Sequence, residues 1–210
     1  ENIEQQHILY KNELKFKSFS LNAKKEIKNI LATKLNIDSR KDFRHLRIFN
    51  IDPIGCKDID DALHITKKSD DIYEIGVHIA DVSHFINKDT YLDKEIELRG
   101  SSVYLPFDQY HMLPNELSCD FLSLLVNKNR YAYSIIYEVD MNLVKIKNIT
   151  FQKSIIQNKK SFDYDELQDI IDNKIIKDNN IITDIRMLYD IVSKLSKNNN
   201  LNTHKLVEYL

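Results

Sequence analysis

Four aspartates fall within ten residues, Asp52, Asp58, Asp60 and Asp61, in the run I-D-P-I-G-C-K-D-I-D-D-A-L. Apolar runs flank them, with Ile48, Phe49 and Ile51 before and Ala62, Leu63 and Ile65 after. The pattern predicts a strand on each side and a loop between, with carboxylates crowded at the junction. Such groups repel one another unless something cationic sits among them. An all-oxygen donor set favours a hard divalent ion, Mg²⁺ or, as the alternative, Mn²⁺. Pro53 fixes φ and Gly55 can take positive φ, so the loop can fold back and bring its ends together. If residues 58–61 are extended, Asp58 and Asp60 share a face and Asp61 points away. All three then reach one site only where the backbone bends, or they divide between two ions roughly 3.5–4 Å apart. The competing reading is a solvated acidic loop with Asx turns and caps. An EF-hand calcium loop is disfavoured, because its D-x-D-x-D-G spacing and closing Glu are absent.

A chain of 210 residues with 42% hydrophobic and 10% aromatic residues can bury a core and is globular in class. The net charge of −2 leaves room for a basic groove beside an acidic metal site, so nucleic acid remains an eligible partner. Two cysteines, Cys56 and Cys119, without metal spacing predict a reducing, intracellular setting and no disulfide scaffold. No apolar stretch approaches the roughly 18 residues of a membrane span, so no membrane partner is expected. The periodicity predicts a helix over 21–35, capped by Ser20 or Asn22, with Ile27, Ile30, Leu31 and Leu35 on one face. Strands are expected at 46–51, 61–66, 72–79, 131–140 and 143–157, with Tyr131, Tyr133, Ile135, Tyr137 and Val139 sharing a face. A helix over 89–98 takes Asp89 as cap and Gly100 as stop. From about 163 the period becomes helical. Strands first and helices later read as α+β, a mixed or antiparallel sheet flanked by helices.

Further motifs stand in a fixed order around the acidic run: R-K-D-F-R-H-L (40–46), G-V-H-I-A-D-V-S-H-F-I (76–86), L-D-K-E-I-E-L-R-G-S-S-V-Y-L-P (92–106) and H-M-L-P-N-E-L-S (111–118). Together they resemble the catalytic domain of the ribonuclease II (RNB) family of 3′→5′ exoribonucleases, nearest its eukaryotic exosome-nuclease branch. The strong motifs cover about 40–125, and a weaker match continues to 160. The resemblance implies that Asp52, Asp58, Asp60 and Asp61 hold Mg²⁺ and position the attacking water, with Asp60, alongside Asp58, tied to the chemical step. It implies that Tyr104 contacts the 3′-terminal nucleotides of single-stranded RNA; taken alone, Tyr104 reads as a strand-core tyrosine. Arg99 reads either as a phosphate contact or as a favourable charge at a helix C-terminus. The basic stretch 40–47 divides between RNA backbone contact and ordinary surface. His78, Asp81 and His84 read as structural rather than as ligands, and Cys56 as packing.

The same resemblance implies a partial domain. Residues 1–39 are expected to be a linker or the tail of a preceding OB-fold domain with one helix, and 40–210 the amino-terminal part of the catalytic domain. The run T-H-K-L-V-E-Y-L (203–210) reads as the opening of a helix. The family's phosphate-assisting Arg and second stacking aromatic have no match here. Any exosome-like complex would be joined through parts outside this sequence. The alternative function is a non-catalytic RNA-binding relic of the same fold.

Overall fold

The alternating run at 131–140 forms a strand, and its partner is longer than the spacing suggests. In the computed structural model, which describes residues 7–8, 10–12, 18–105, 108–175 and 179–198, the elements follow in order. They are α1 (Leu21–Leu31), β1 (Lys41–Asp42), β2 (Ile48–Ile51), β3 (Asp61–Lys67), β4 (Ile72–Ala80) and α2 (Tyr91–Arg99). Then come β5 (Val103–Leu105), β6 (Asp108–Tyr110), β7 (Asn129–Asp140), β8 (Lys145–Phe162), α3 (Tyr164–Ile171) and α4 (Asn180–Asn198). The architecture is α+β, as expected. The reading of 203–210 lies outside the described residues, as does most of the reading of 1–20. Among the described residues no helix is long and apolar enough to cross a membrane.

The chain divides into two units, one holding the described residues up to Leu35 with Asp81–Ser123, the other Asn36–Ala80 with those from Leu124 onward. The second contains the main sheet. Here β2–β3, β3–β4, β4–β7 and β7–β8 pair antiparallel, whereas β8 runs parallel to β1 and β2. Because β7 pairs with both β4 and β8, and β8 with β2, the ladder returns on itself.

A strand in such a ring buries both faces, and this changes the expected one-sided pattern of β7. Tyr131 and Val139 are buried on the predicted face, yet Ala132, Ser134 and Ile136 are buried on the other, while Tyr133 is 42% exposed. One face carries Phe49, Leu63, Ile65, Ile75 and Val139, covered by Leu167 and Ile170 of α3 and by Ile182, Ile185, Leu188 and Ile191 of α4. Those helix positions recur at the spacing of a single helical face. The other face gathers Ile48, Ala62, Ala132, Ile136 and Ile156 with Phe43, Ile59 and Leu124.

Polar groups also enter this unit, and they form a chain. His64 Nδ1 lies 2.8 Å from His78 Nε2, His78 Nδ1 lies 2.7 Å from Ser134 Oγ, and Ser134 Oγ lies 2.6 Å from Ser154 Oγ. All four residues are fully buried. Gly76 faces His64 across the ladder, and a Cβ there would stand 2.2 Å from His64 Cε1. The glycine makes room for the imidazole. Burial holds the His78 ring down to about 3, with His64 contributing, so the ring is neutral.

The arginines of the basic stretch 40–47 turn inward or pair with aspartates. Arg40 donates from Nη1 to the carbonyls of Ala132 (3.4 Å) and Ser154 (3.2 Å) and lies over the Tyr131 ring. Arg44 grips Asp42 in a two-point pair, and Arg47 does the same with Asp184 of α4 at 2.6 and 2.8 Å.

In the first unit, Ser20 Oγ accepts from Ala23 N and starts α1, which buries Ala23, Ile27 and Ile30. The helix stops at Leu31, which is exposed, so Leu31 and Leu35 do not extend its buried face as expected. The cap of α2 is Thr90 and not Asp89: Thr90 Oγ1 accepts from Asp93 N. Glu26 of α1 accepts from the amides of Tyr91 and Leu92 at the start of α2, where a helix leaves its N–H groups unpaired and favours negative charge.

Candidate active site

The acidic loop is built by its neighbours on both sides. Asp52 follows β2, and its amide donates to the carbonyl of Phe162 at the end of β8. Pro53–Cys56 form a turn closed by Cys56 N donating to Pro53 O, with Gly55 at φ 84°. This is the arrangement in which the third residue of a turn calls for glycine. Ile59 is 4% exposed and inserts into the sheet core, so Asp58 and Asp60 flank a buried anchor, consistent with their sharing a face. The amide of Leu124 donates to Ile59 O, and the amide of Ala80 donates to Asp60 O, both within 2.9 Å. Asp61 opens β3 in register with Ile79.

The carboxylates of Asp60 and Asp61 both feel acidic neighbours. The Cys56 thiol lies 3.7 Å from Asp52 Oδ1 and 3.5 Å from Asp58 Oδ1, and so bridges the two ends of the loop. Burial, then Asp52 and Asp58, push that thiol up to about 12. A thiol held protonated donates to oxygen and does not compete as a soft ligand. The Asp60 carboxyl is raised by desolvation and then by Asp58, Asp61 and Asp52; that of Asp61 is raised by desolvation and then by Asp52. Both side chains keep open surface, yet protein atoms around them displace enough water to disfavour charge. Among the described residues no three His, Cys, Asp or Glu side chains already converge as a metal cage. The donor set nevertheless suits a hard divalent ion: oxygens only, mutually repelling, with the one nearby thiol held neutral.

Tyr104 and Arg99 belong to the other unit. Tyr104 sits on the β5–β6 hairpin opposite Gln109, is 57% exposed and meets the His111 ring edge-on at 6.0 Å. That exposure removes the strand-core reading. Arg99 Nη1 donates to His111 O at 3.1 Å and its guanidinium lies over the Phe19 ring at 3.6 Å. Much of its cation is therefore engaged by its own unit, where it also lines a cleft of about 400 Å³ with Lys24 and Tyr110. His78 is in the buried polar chain, and His84 packs edge-on against Phe85.

A family model described as the RNB domain matches residues 40–207. The chain belongs to the RNB family. Its relatives include the mouse exosome complex exonuclease RRP44, 42% identical over 79% of this chain and 17% of that protein. The Schizosaccharomyces pombe exosome complex exonuclease dis3 is 46% identical over 67% of this chain and 14% of its own length. Among solved structures, Mycoplasma genitalium RNase R in complex with ribose methylated single-stranded RNA superposes with a TM-score of 0.81 at 25% identity, over 94% of this chain and 31% of that one. Yeast Ssd1, described as a pseudonuclease, shares the fold at a TM-score of 0.64 and 21% identity, over 74% of this chain and 19% of its own. The RNB chain spans a fifth or less of the length of the curated relatives it matches.

Two features of this RNB domain escaped sequence reasoning. Asn50, 1% exposed, donates from Nδ2 to Asp52 Oδ2 at 2.7 Å; a buried amide inside an apolar strand was its only signal. Tyr164, 46% exposed, starts α3 two residues after Phe162, whose carbonyl holds Asp52.

Proposed function

We propose that this chain is the amino-terminal part, from about residue 40, of the catalytic domain of a hydrolytic 3′→5′ exoribonuclease acting on single-stranded RNA. The observation that carries the reading is the set Asp52, Asp58, Asp60 and Asp61, held on one short loop with the Cys56 thiol between Asp52 and Asp58, in a member of the RNB family. These four would hold Mg²⁺, or Mn²⁺ in its place, and Asp60 would also orient the attacking water. Metal bound there would supply charge neutralisation for the scissile phosphate and a lowered pKa for water. Water oxygen bonds to the terminal phosphorus and the P–O3′ bond breaks. One water proton ends on the departing 3′ oxygen, so the products are a shortened RNA with a 3′-hydroxyl and a nucleoside 5′-monophosphate. Tyr104 offers an exposed ring for a 3′-terminal base, a contact worth about 1–3 kcal/mol and tolerant of sequence; Arg99 is the nearby candidate for a phosphate. Residues up to 39 form the approach to the domain, and any exosome-like assembly is reached through parts of a longer protein. Two free thiols suit an intracellular setting.

The second reading, an RNA-binding relic, draws on the Ssd1 likeness, which shows that this fold occurs in a protein described as a pseudonuclease. The intact carboxylates weigh against it, since a relic has no physical reason to retain a self-repelling cluster. The test incubates the chain, and a longer version of it, with 3′-labelled single-stranded RNA and Mg²⁺ beside Asp60→Asn. Release of labelled mononucleotide by the long form, lost in Asp60→Asn, is expected. No release, or equal cutting by Asp60→Asn, would overturn the enzyme reading; binding without cleavage would favour the relic. A DNA strand of the same sequence tests dependence on the 2′-hydroxyl.

A further inference from the structure

The acidic loop is fixed at two points by a single run of buried amides. Asn50 Nδ2 donates to Asp52 Oδ2 at 2.7 Å and to Ser161 Oγ at 3.0 Å. Its Oδ1 accepts from Asn158 Nδ2 at 2.6 Å, and the same Nδ2 donates to Leu124 O at 2.8 Å. Asn158 Oδ1 in turn accepts from Lys160 N. Leu124 N then donates to Ile59 O, between Asp58 and Asp60. Both asparagines are 1% exposed. The direction of the run is forced from one end. Asp52 can only accept when ionised, so the Asn50 amide group must face it and the Asn50 oxygen must face Asn158. That oxygen requires a donor, which sets the Asn158 amide the same way. Every donor of both side chains is then used, and a buried donor or acceptor without a partner is costly.

We propose that Asn158, acting through Asn50, is a positioning residue that holds Asp52 and the Asp58–Asp60 segment at the spacing a divalent cation needs. The proposal rests on the cation reading above. Asn50 occupies Asp52 Oδ2 and so leaves Oδ1 as the oxygen turned to the loop, on the side where the Cys56 thiol also lies. Through Leu124 the same Asn158 sets the height of Ile59, and with it the two aspartates that flank Ile59. Partners of metal ligands commonly change affinity by about 10–100-fold when removed.

The test titrates the 210-residue chain with Mn²⁺ alone, reading free Mn²⁺ by electron paramagnetic resonance, with thermal midpoints measured in parallel. Asn50→Ala and Asn158→Ala are each expected to weaken Mn²⁺ binding by about tenfold or more. The double variant should lose less than the product of the two single losses, because both act on Asp52 through the same Asn158–Asn50 bond. Ile185→Val, a core truncation under α4, should lower the midpoint and leave Mn²⁺ affinity unchanged. Wild-type affinity in both asparagine variants, or losses that simply multiply in the double variant, would overturn the proposal and leave the cation reading standing. A wild-type chain that takes up no Mn²⁺ would overturn the cation reading itself. Should Asn158→Ala not fold, Asn158→Ser and Asn50→Ala decide by the same criterion.

Discussion

At the scale of single residues, the buried histidine chain and the glycine beneath it make sharp demands. His64 cannot swing aside, because its Nδ1 is committed to His78 and the ring is fully buried. Gly76→Ala should therefore cost about 1–3 kcal/mol, the usual range for overpacking, read from urea unfolding. The same chain sets an acid limit. His78 titrates near 3 when folded and at its ordinary 6.5 when unfolded. Its contribution is complete above 6.5 and is lost as pH falls from there towards 3, since only the unfolded chain takes the proton. The slope from this one group cannot exceed about 1.4 kcal/mol per pH unit. Glu74 adds a second step: its contacts with His64 and Lys68 hold it down to about 2, so its contribution is present above 4.5 and lost below. Urea midpoints should fall from pH 7 to pH 5, and His78→Leu should flatten that interval while leaving the step below 4.5.

At the scale of elements, most strands and helices were legible because their periods are clean. Turn residues did as much: Gly55 and Gly100 both take positive φ where a loop and a helix end required it. Legibility failed where a tertiary partner decides. Leu31 fits the stripe of α1 but faces solvent, and the alternation of β7 hid a second buried face that only ring closure creates. The basic stretch 40–47 gave no hint that Arg40 and Arg47 have partners more than ninety residues away. The four aspartates were readable as a set, whereas Asn50 and Asn158 look unremarkable until β2 and β8 lie side by side. Caps supply a test at this scale. Asp163 Oδ1 accepts from Glu166 N at 2.8 Å and starts α3 beside Tyr164. Asp163→Ala should lower stability by about 1 kcal/mol, measured by chemical denaturation.

At the scale of the whole molecule, the outer row of β7 and β8 carries apolar side chains that α3 and α4 leave open. Phe151 is 61% exposed and Ile149 and Tyr133 more than 40%, while Phe151 pairs directly with Ile135 and Ile149 with Tyr137. Contiguous apolar surface of this kind promotes self-association. Phe151→Thr should reduce concentration-dependent light scattering with little change in thermal midpoint, since threonine suits a strand and little burial is lost. Ring closure has another consequence. Asp52 takes its amide partner from Phe162, and Asn50 reaches Ser161 across 111 positions of chain. Contacts of such separation carry a large loop-closure cost and form late. A polypeptide leaving the ribosome has made all four aspartates long before β8 exists to seat them. The acidic loop of the nascent chain thus stays open and solvated until β8 has been made, and competence for a cation waits on that strand rather than on the aspartates themselves.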